Sequence, residues 1–159
     1  MKCTLKGSSK GEKKPPCPSK RISKWSRAND DAFNAHDLEK LSQLWAADFL
    51  AEPTGAPAPW NGEQHRMYLQ GYLTAFPDAH LDVTLTIAQG DYVVAHWTAT
   101  GTHTGPLPTP TGGSIPATGK QFVLKGSDTY ELKGGKIFRL WQFADGASLL
   151  GQLGLMPPL

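Results

Sequence analysis

"KQFVLKGSDTYELKGGKIFRLWQF", Lys120 to Phe143, consists of two runs of strand-forming residues on either side of a Lys-Gly-Gly turn. Valine, isoleucine, tyrosine, phenylalanine and tryptophan dominate the runs, and the paired glycines supply the backbone freedom of a tight reversal. The stretch therefore predicts a β-hairpin near the C-terminus. It also pairs two polar residues. Asp128 stands five residues before Lys133 and Gln142 six after Lys136, so adjacent antiparallel strands bring them within side-chain reach.

Beyond the hairpin, "DGASLLGQLG" reads as a short helix with Asp145 placed to cap its N-terminus. Upstream, "AHLDVTLTIAQ" alternates, with Leu81, Val83, Leu85 and Ile87 on one face of a half-buried strand. "YVVAHWTATGTHTG" is a long strand, and "PLPTPTGGSIPATG" a Pro/Gly loop. Earlier still the period changes to helical. Trp25, Ala28, Ala32, Phe33, Ala35, Leu38, Leu41, Leu44 and Trp45 are apolar at helix spacing, broken near "NAHD", where Asp37 can cap a second, short helix. A short strand at Phe49–Ala51 and a Pro-rich loop follow, then a third helix from Glu63 to Phe76, stopped by Pro77. Helices first and hairpin-joined strands after them make an α+β layout. The expected architecture is a cone-shaped α+β barrel: a curved, mostly antiparallel sheet with the N-terminal helices on its concave face, enclosing a pocket.

The chain has 159 residues, 39% of them hydrophobic, which suits one domain plus a tail. Residues 1–27 hold nine Lys or Arg against one acid, Glu12; the rest holds seven basic and thirteen acidic residues. The folded part is thus acidic, which argues against nucleic acid as a partner. No apolar run approaches the ~20 residues of a membrane span, and the expectation is a soluble, cytoplasmic protein. Residues 1–24, rich in Lys, Ser, Gly and Pro, read as a disordered basic tail without the apolar centre of a secretory signal. Cys3 and Cys17 both lie in it, as reduced thiols or, in an oxidising compartment, a tail disulfide. No HxH, HExxH, GxSxG, P-loop or GxGxxG occurs, so metal sites, Ser hydrolysis and nucleotide binding find no support.

Three stretches, "FNAHDLEKLSQLWAADF", "GTHTG" with "ATGKQF", and the ending "LLGQLG", resemble the SnoaL-like polyketide (ester) cyclase family of the nuclear transport factor 2-like superfamily. The resemblance assigns residues 25–159 to one such barrel domain. It implies intramolecular aldol chemistry without metal or organic cofactor, a carboxylate acid/base on the last long strand, and a histidine on the preceding one. Laid over this chain, the carboxylate position falls on Gln142 and the histidine position on Asp128. An amide cannot take up a proton at neutral pH.

One resolution is that the acid/base has crossed the sheet to Asp128, with Gln142 donating a hydrogen bond. Among Tyr130, Trp97 and Trp141 the carboxyl would lose solvation and become a better proton acceptor. The alternative places Asp128 on the outer face beside Lys125 or Lys133. His103 stands where a strand meets the long loop, either polarising a substrate oxygen or bonding loop backbone; alternation puts His96 on the other face. His36, His65 and His80 read as surface or cap residues. Trp45, Tyr72, Trp97, Tyr130 and Trp141 are candidate walls for an apolar ligand, with Asp145 at the rim or capping its helix.

The functional expectation is a cofactor-independent acid/base enzyme of cyclase or isomerase type. Its substrate would be an apolar, carbonyl-bearing polyketide-like or terpenoid-like molecule. The alternatives are a hydrophobic-ligand-binding module without chemistry, or an epoxide hydrolase, dehydratase or hydroxylase. A homodimer through the open sheet face is expected if that face carries a large apolar patch.

Overall fold

The computed structural model describes residues 27–109 and 113–156; the whole basic tail of residues 1–24 with both cysteines, and Trp25, lie outside them. A helix covering residues 27–34 (α1) precedes α2, Leu38–Gln43. Next come β1 (Trp45–Pro53), β2 (Trp60–Asn61) and α3 (Gly62–Ala75). The strands β3 (His80–Gln89), β4 (Tyr92–Thr102), β5 (Leu107–Pro108), β6 (Ser114–Ile115), β7 (Gln121–Lys133) and β8 (Lys136–Ala144) follow, and α4, Gly146–Gln152, closes the order. Six strands form one curved sheet in the order β2-β1-β8-β7-β4-β3, antiparallel except where β1 runs parallel to β8. The α+β class and the curved sheet expected from sequence are both present.

The parallel pairing explains one departure from the sequence reading. Strand β1 begins at Trp45, not Phe49, because Ile137 N donates to Leu44 O and Trp45 pairs with Ile137. A partner 92 residues away claims Leu44 and Trp45, which local periodicity assigned to a helix. The hairpin β7–β8 brings Asp128 and Gln142 within reach as expected, and a bulge between Glu131 and Leu132, which sequence did not suggest, makes them direct cross-strand partners.

A second departure lies in β3. Val83 pairs with Trp97, but Leu85 pairs with His96, so the extra residue of a bulge sits between them. One inserted residue reverses every side chain beyond it. Leu85 and Ile87 therefore turn to the outer face, 47% and 55% exposed, while Leu81 and Val83 stay against the core.

Two amide side chains imitate missing strands. Asn34 of α1 donates to Leu81 O at 2.9 Å and accepts from Leu81 N at 2.8 Å, occupying the edge of β3. Gln152 of α4 does the same at Val123, where β7 runs on past the end of β8. Asp145 caps α4 by accepting from Ser148 N at 2.9 Å. His36 ends α1 with φ +55° and donates through Nε2 to Ala79 O, a cap role as expected, and His80 is exposed. The loop after β4 holds the two-residue strands β5 and β6 that sequence did not suggest.

Candidate active site

Pairing across the sheet sorts the candidate residues by face. One inner row runs Ala95–Asp128–Gln142–Pro53, and the row beside it Val83–Trp97–Gly126–Ala144. Asp128 is therefore directed to the concave side, and only 5% of its surface is exposed. The outer-face alternative for it does not hold. Gln142, on the same inner row, stays half-buried.

The carboxyl is held asymmetrically. Tyr130 Oη donates to Asp128 Oδ2 at 3.0 Å, and Gln142 Nε2 donates to the same oxygen at 3.4 Å. Asn29 of α1, itself 8% exposed, hydrogen-bonds the Tyr130 hydroxyl in turn. Oδ1 is buried without a hydrogen-bond partner, and so is Trp97 Nε1. The indole still favours the charged carboxyl, although no hydrogen bond between the two is completed. Desolvation outweighs these donors and pushes the Asp128 pKa up to about 6, with the nearby charge of Asp30 adding to the rise. A carboxylate with that pKa is largely ionised at pH 7 and still a competent proton acceptor.

Trp97 reaches this position because its cross-strand partner has no side chain. A Cβ on Gly126 would collide with the Trp97 ring and come within 2.7 Å of Phe143 O. A glycine inside a strand often marks such a close approach, and "KGSD" held that signal. From the helical side, Tyr68 of α3 feels the Asp128 charge. Burial, and then that charge, raise the hydroxyl pKa, although the residue exposes 45% of its surface. Sequence reading missed Asn29, Asp30 and Tyr68. Tyr68 is one turn from Tyr72 on the sheet-facing side of α3 and could have been found by period; for Asn29 and Asp30 no local signal exists.

The other expected residues are dispersed. Trp45 stacks on Phe49 at 4.8 Å and 9°, half-buried at the start of β1. Tyr72 joins Phe33, Tyr68 and Phe76 in a chain of rings along α3. Tyr130 and Trp97 belong to the Asp128 cluster. Trp141 does not, because it pairs with Thr129 and Glu52 on the opposite face of the sheet. Strand alternation makes Gln142 and Trp141 mutually exclusive on one face. Asp145 is an exposed helix cap.

His103 is fully buried, eight residues along β4 from Ala95, the partner of Asp128, which is about 26 Å of strand. Its Nδ1 accepts from Thr118 N at 3.3 Å, and its ring packs at 5.3 Å from Phe76. That is the loop-bonding role, and it is not brought to Asp128. His65, expected at the surface, is instead 3% exposed; Trp45, Phe49, Trp60 and Tyr68 bury it.

Among the described residues no three His, Cys, Asp or Glu side chains converge as a metal site, and no helix is long and apolar enough to cross a membrane.

Comparisons with known proteins agree with this fold. The family model of the SnoaL-like polyketide cyclases matches residues 23–153. AclR, a candidate hydroxylase from Streptomyces galilaeus, is 23% identical, covers 90% of both chains and superposes with a TM-score of 0.77. IdmH, a candidate polyketide cyclase from Streptomyces antibioticus, is 28% identical over 86% of this chain and 98% of its own, with a TM-score of 0.69. A protein of ketosteroid isomerase-like fold from Catenulispora acidiphila is 20% identical over 84% of this chain and 97% of its own, with a TM-score of 0.67. No curated protein matches significantly. The family match spans the whole α+β unit, from ahead of α1 to the end of α4, and the chain belongs to the SnoaL-like polyketide cyclase family.

Proposed function

We propose that the protein is a cofactor-independent acid/base enzyme of cyclase or isomerase type, acting on an apolar, carbonyl-bearing small molecule at the concave face, with Asp128 as the base. One observation carries the reading: a buried carboxylate has Oδ2 tied by Tyr130 and Gln142 while Oδ1 has no partner. Two donors on one oxygen orient the group and leave the other for a substrate proton. Oδ1 takes a proton from the carbon next to the carbonyl, and the C–H electrons pass to the carbonyl oxygen as an enolate. The Trp97 N–H, a buried donor without a hydrogen-bond partner that favours the Asp128 charge, then serves the developing oxyanion. In an isomerisation Asp128 returns the proton to another carbon. In a ring closure the enolate carbon attacks a second carbonyl, and Asp128 protonates the new alkoxide. The similarity to IdmH supports the cyclase form.

The α-proton exchange of 2-tetralone in D2O, followed by NMR, tests this. The protein should accelerate exchange, and Asp128→Asn should remove about 10²–10⁴-fold of the acceleration while keeping the fold. Unimpaired exchange in the variant removes Asp128 from the mechanism; no acceleration by the wild type leaves the family's scaffold as a ligand-binding module.

A homodimer belongs to the same proposal. Two outer rows, Leu85–His96–Ser127–Phe143 and Ile87–Val94–Thr129–Trp141, carry the exposed Leu85, Ile87 and Phe143 and the half-buried Val94 and Trp141 across four strands. Such a patch suits a second copy of the chain. Sedimentation should give a dimer that Ile87→Lys with Phe143→Lys dissociates; a wild-type monomer at micromolar concentration refutes it.

A further inference from the structure

The concave face holds a polar group that the acid/base reading leaves unused. His65 projects from α3 into a box of rings: Trp45 at 5.3 Å, Phe49 at 5.6 Å, Tyr68 at 6.3 Å and Trp60 at 6.5 Å between centroids. It is 3% exposed, and its Nδ1 is buried with no hydrogen-bond partner. An unpaired buried polar atom is destabilising, because it has given up water and gained no partner. A phenylalanine would fill an aromatic box without that cost. The box adjoins the Asp128 site, because Tyr68, one turn along α3, forms its wall and has its hydroxyl within the field of Asp128. Tyr68 is also its most open wall, 45% exposed, while Trp45 and Trp60 are half-buried and Phe49 buried.

We propose that His65 is a specificity residue which hydrogen-bonds a second, uncharged oxygen of the small molecule, a hydroxyl or carbonyl, while the first lies at Asp128. This rests on the concave face being the small-molecule site. A neutral imidazole offers one donor and one acceptor nitrogen and so serves either oxygen type. Burial keeps the ring neutral, its pKa pushed down to about 4. A carboxylate at the same place would lose its water among apolar rings, a cost that one neutral N–H donor does not offset. The ligand reaches the nitrogen by displacing the Tyr68 ring. The substrate class is thereby narrowed to flat apolar molecules with two separated neutral oxygens, and acids are rejected.

Fluorescence titration tests this with 2-naphthol, 2,6-dihydroxynaphthalene and 6-hydroxy-2-naphthoate. Wild type should bind the diol roughly three- to tenfold tighter than 2-naphthol after the twofold statistical advantage of two equal ends is removed, which is the range of one hydrogen bond. It should bind the carboxylate more weakly than either. His65→Phe should bring the diol preference to unity while keeping 2-naphthol affinity, and His65→Gln should keep part of it. A preference unchanged in His65→Phe, equal binding of diol and naphthol by wild type, or tighter binding of the carboxylate each overturns the proposal. If those results come with 2-tetralone exchange that still depends on Asp128, the acid/base reading stands and only the role of His65 falls. If none of the three naphthalenes binds and exchange is absent, both fall.

Discussion

Asp128 and His65 should make the stability of this protein nearly independent of pH across a window where each alone would change it steeply. Desolvation moves both pKa values, and in each case it disfavours the charged form. Asp128 rises from 3.8 to about 6 on folding, so the folded chain holds that proton more tightly than the unfolded one. Its contribution is full below pH 3.8 and is lost as pH rises through about 6. At about 1.4 kcal/mol for each tenfold change in proton affinity, the loss comes to ~3 kcal/mol. His65 falls from 6.5 to about 4, so the unfolded chain binds a proton that the folded one refuses. Its contribution is full above pH 6.5 and is lost as pH falls toward about 4, again by about 3 kcal/mol. Between those limits the slopes have opposite sign and similar size, about 1.4 kcal/mol per pH unit each. Urea unfolding followed by tryptophan fluorescence at several values between about pH 4.5 and pH 6 measures the balance. Wild type should vary by less than about 1 kcal/mol across it. Asp128→Asn should gain stability with rising pH, and His65→Phe should lose it, each at close to the single-group slope. Repacking at either site displaces a curve without changing its slope. A variant as flat as wild type refutes the assignment of that group, and a steep wild-type curve refutes the cancellation.

Other outcomes follow from the same contacts. Tyr130→Phe removes the 3.0 Å donor from Asp128 Oδ2 and should move the acidic limb of the 2-tetralone exchange profile to higher pH; an unmoved limb separates Tyr130 from the base. Gly126→Ala drives a methyl into the Trp97 ring and should cost about 1–3 kcal/mol in urea unfolding, against less than about 0.5 kcal/mol if the ring has room. Asp145→Ala removes the cap of α4 and should cost about 1 kcal/mol with exchange activity unchanged; lost activity at full stability would return Asp145 to the site.

Much of this protein is written locally. The hairpin turn at Lys133–Gly135, the stop at Pro77, the Asp37 and Asp145 caps and the strand alternation are short-range steric and hydrogen-bonding preferences. They yield the helix-then-strand order and the hairpin, but the turn register of Lys133↔Lys136 alone would set Asp128 opposite Trp141; the bulge between Glu131 and Leu132 moves it opposite Gln142. Contacts between distant segments decided the rest. Ile137 drew Leu44 and Trp45 out of helical expectation into a parallel strand pairing. A single inserted residue in β3 sent Leu85 and Ile87 outward. The face of Trp141 followed from strand parity once Gln142 was known to point inward. Asn29 and Asp30 beside Tyr130 and Asp128, and the ring box around His65, exist only because α1 and α3 lie on the sheet. Periodicity along a chain reports which side of an element is apolar. Which polar group loses its water depends on what the opposite layer places over it, and that is settled only when the layers meet.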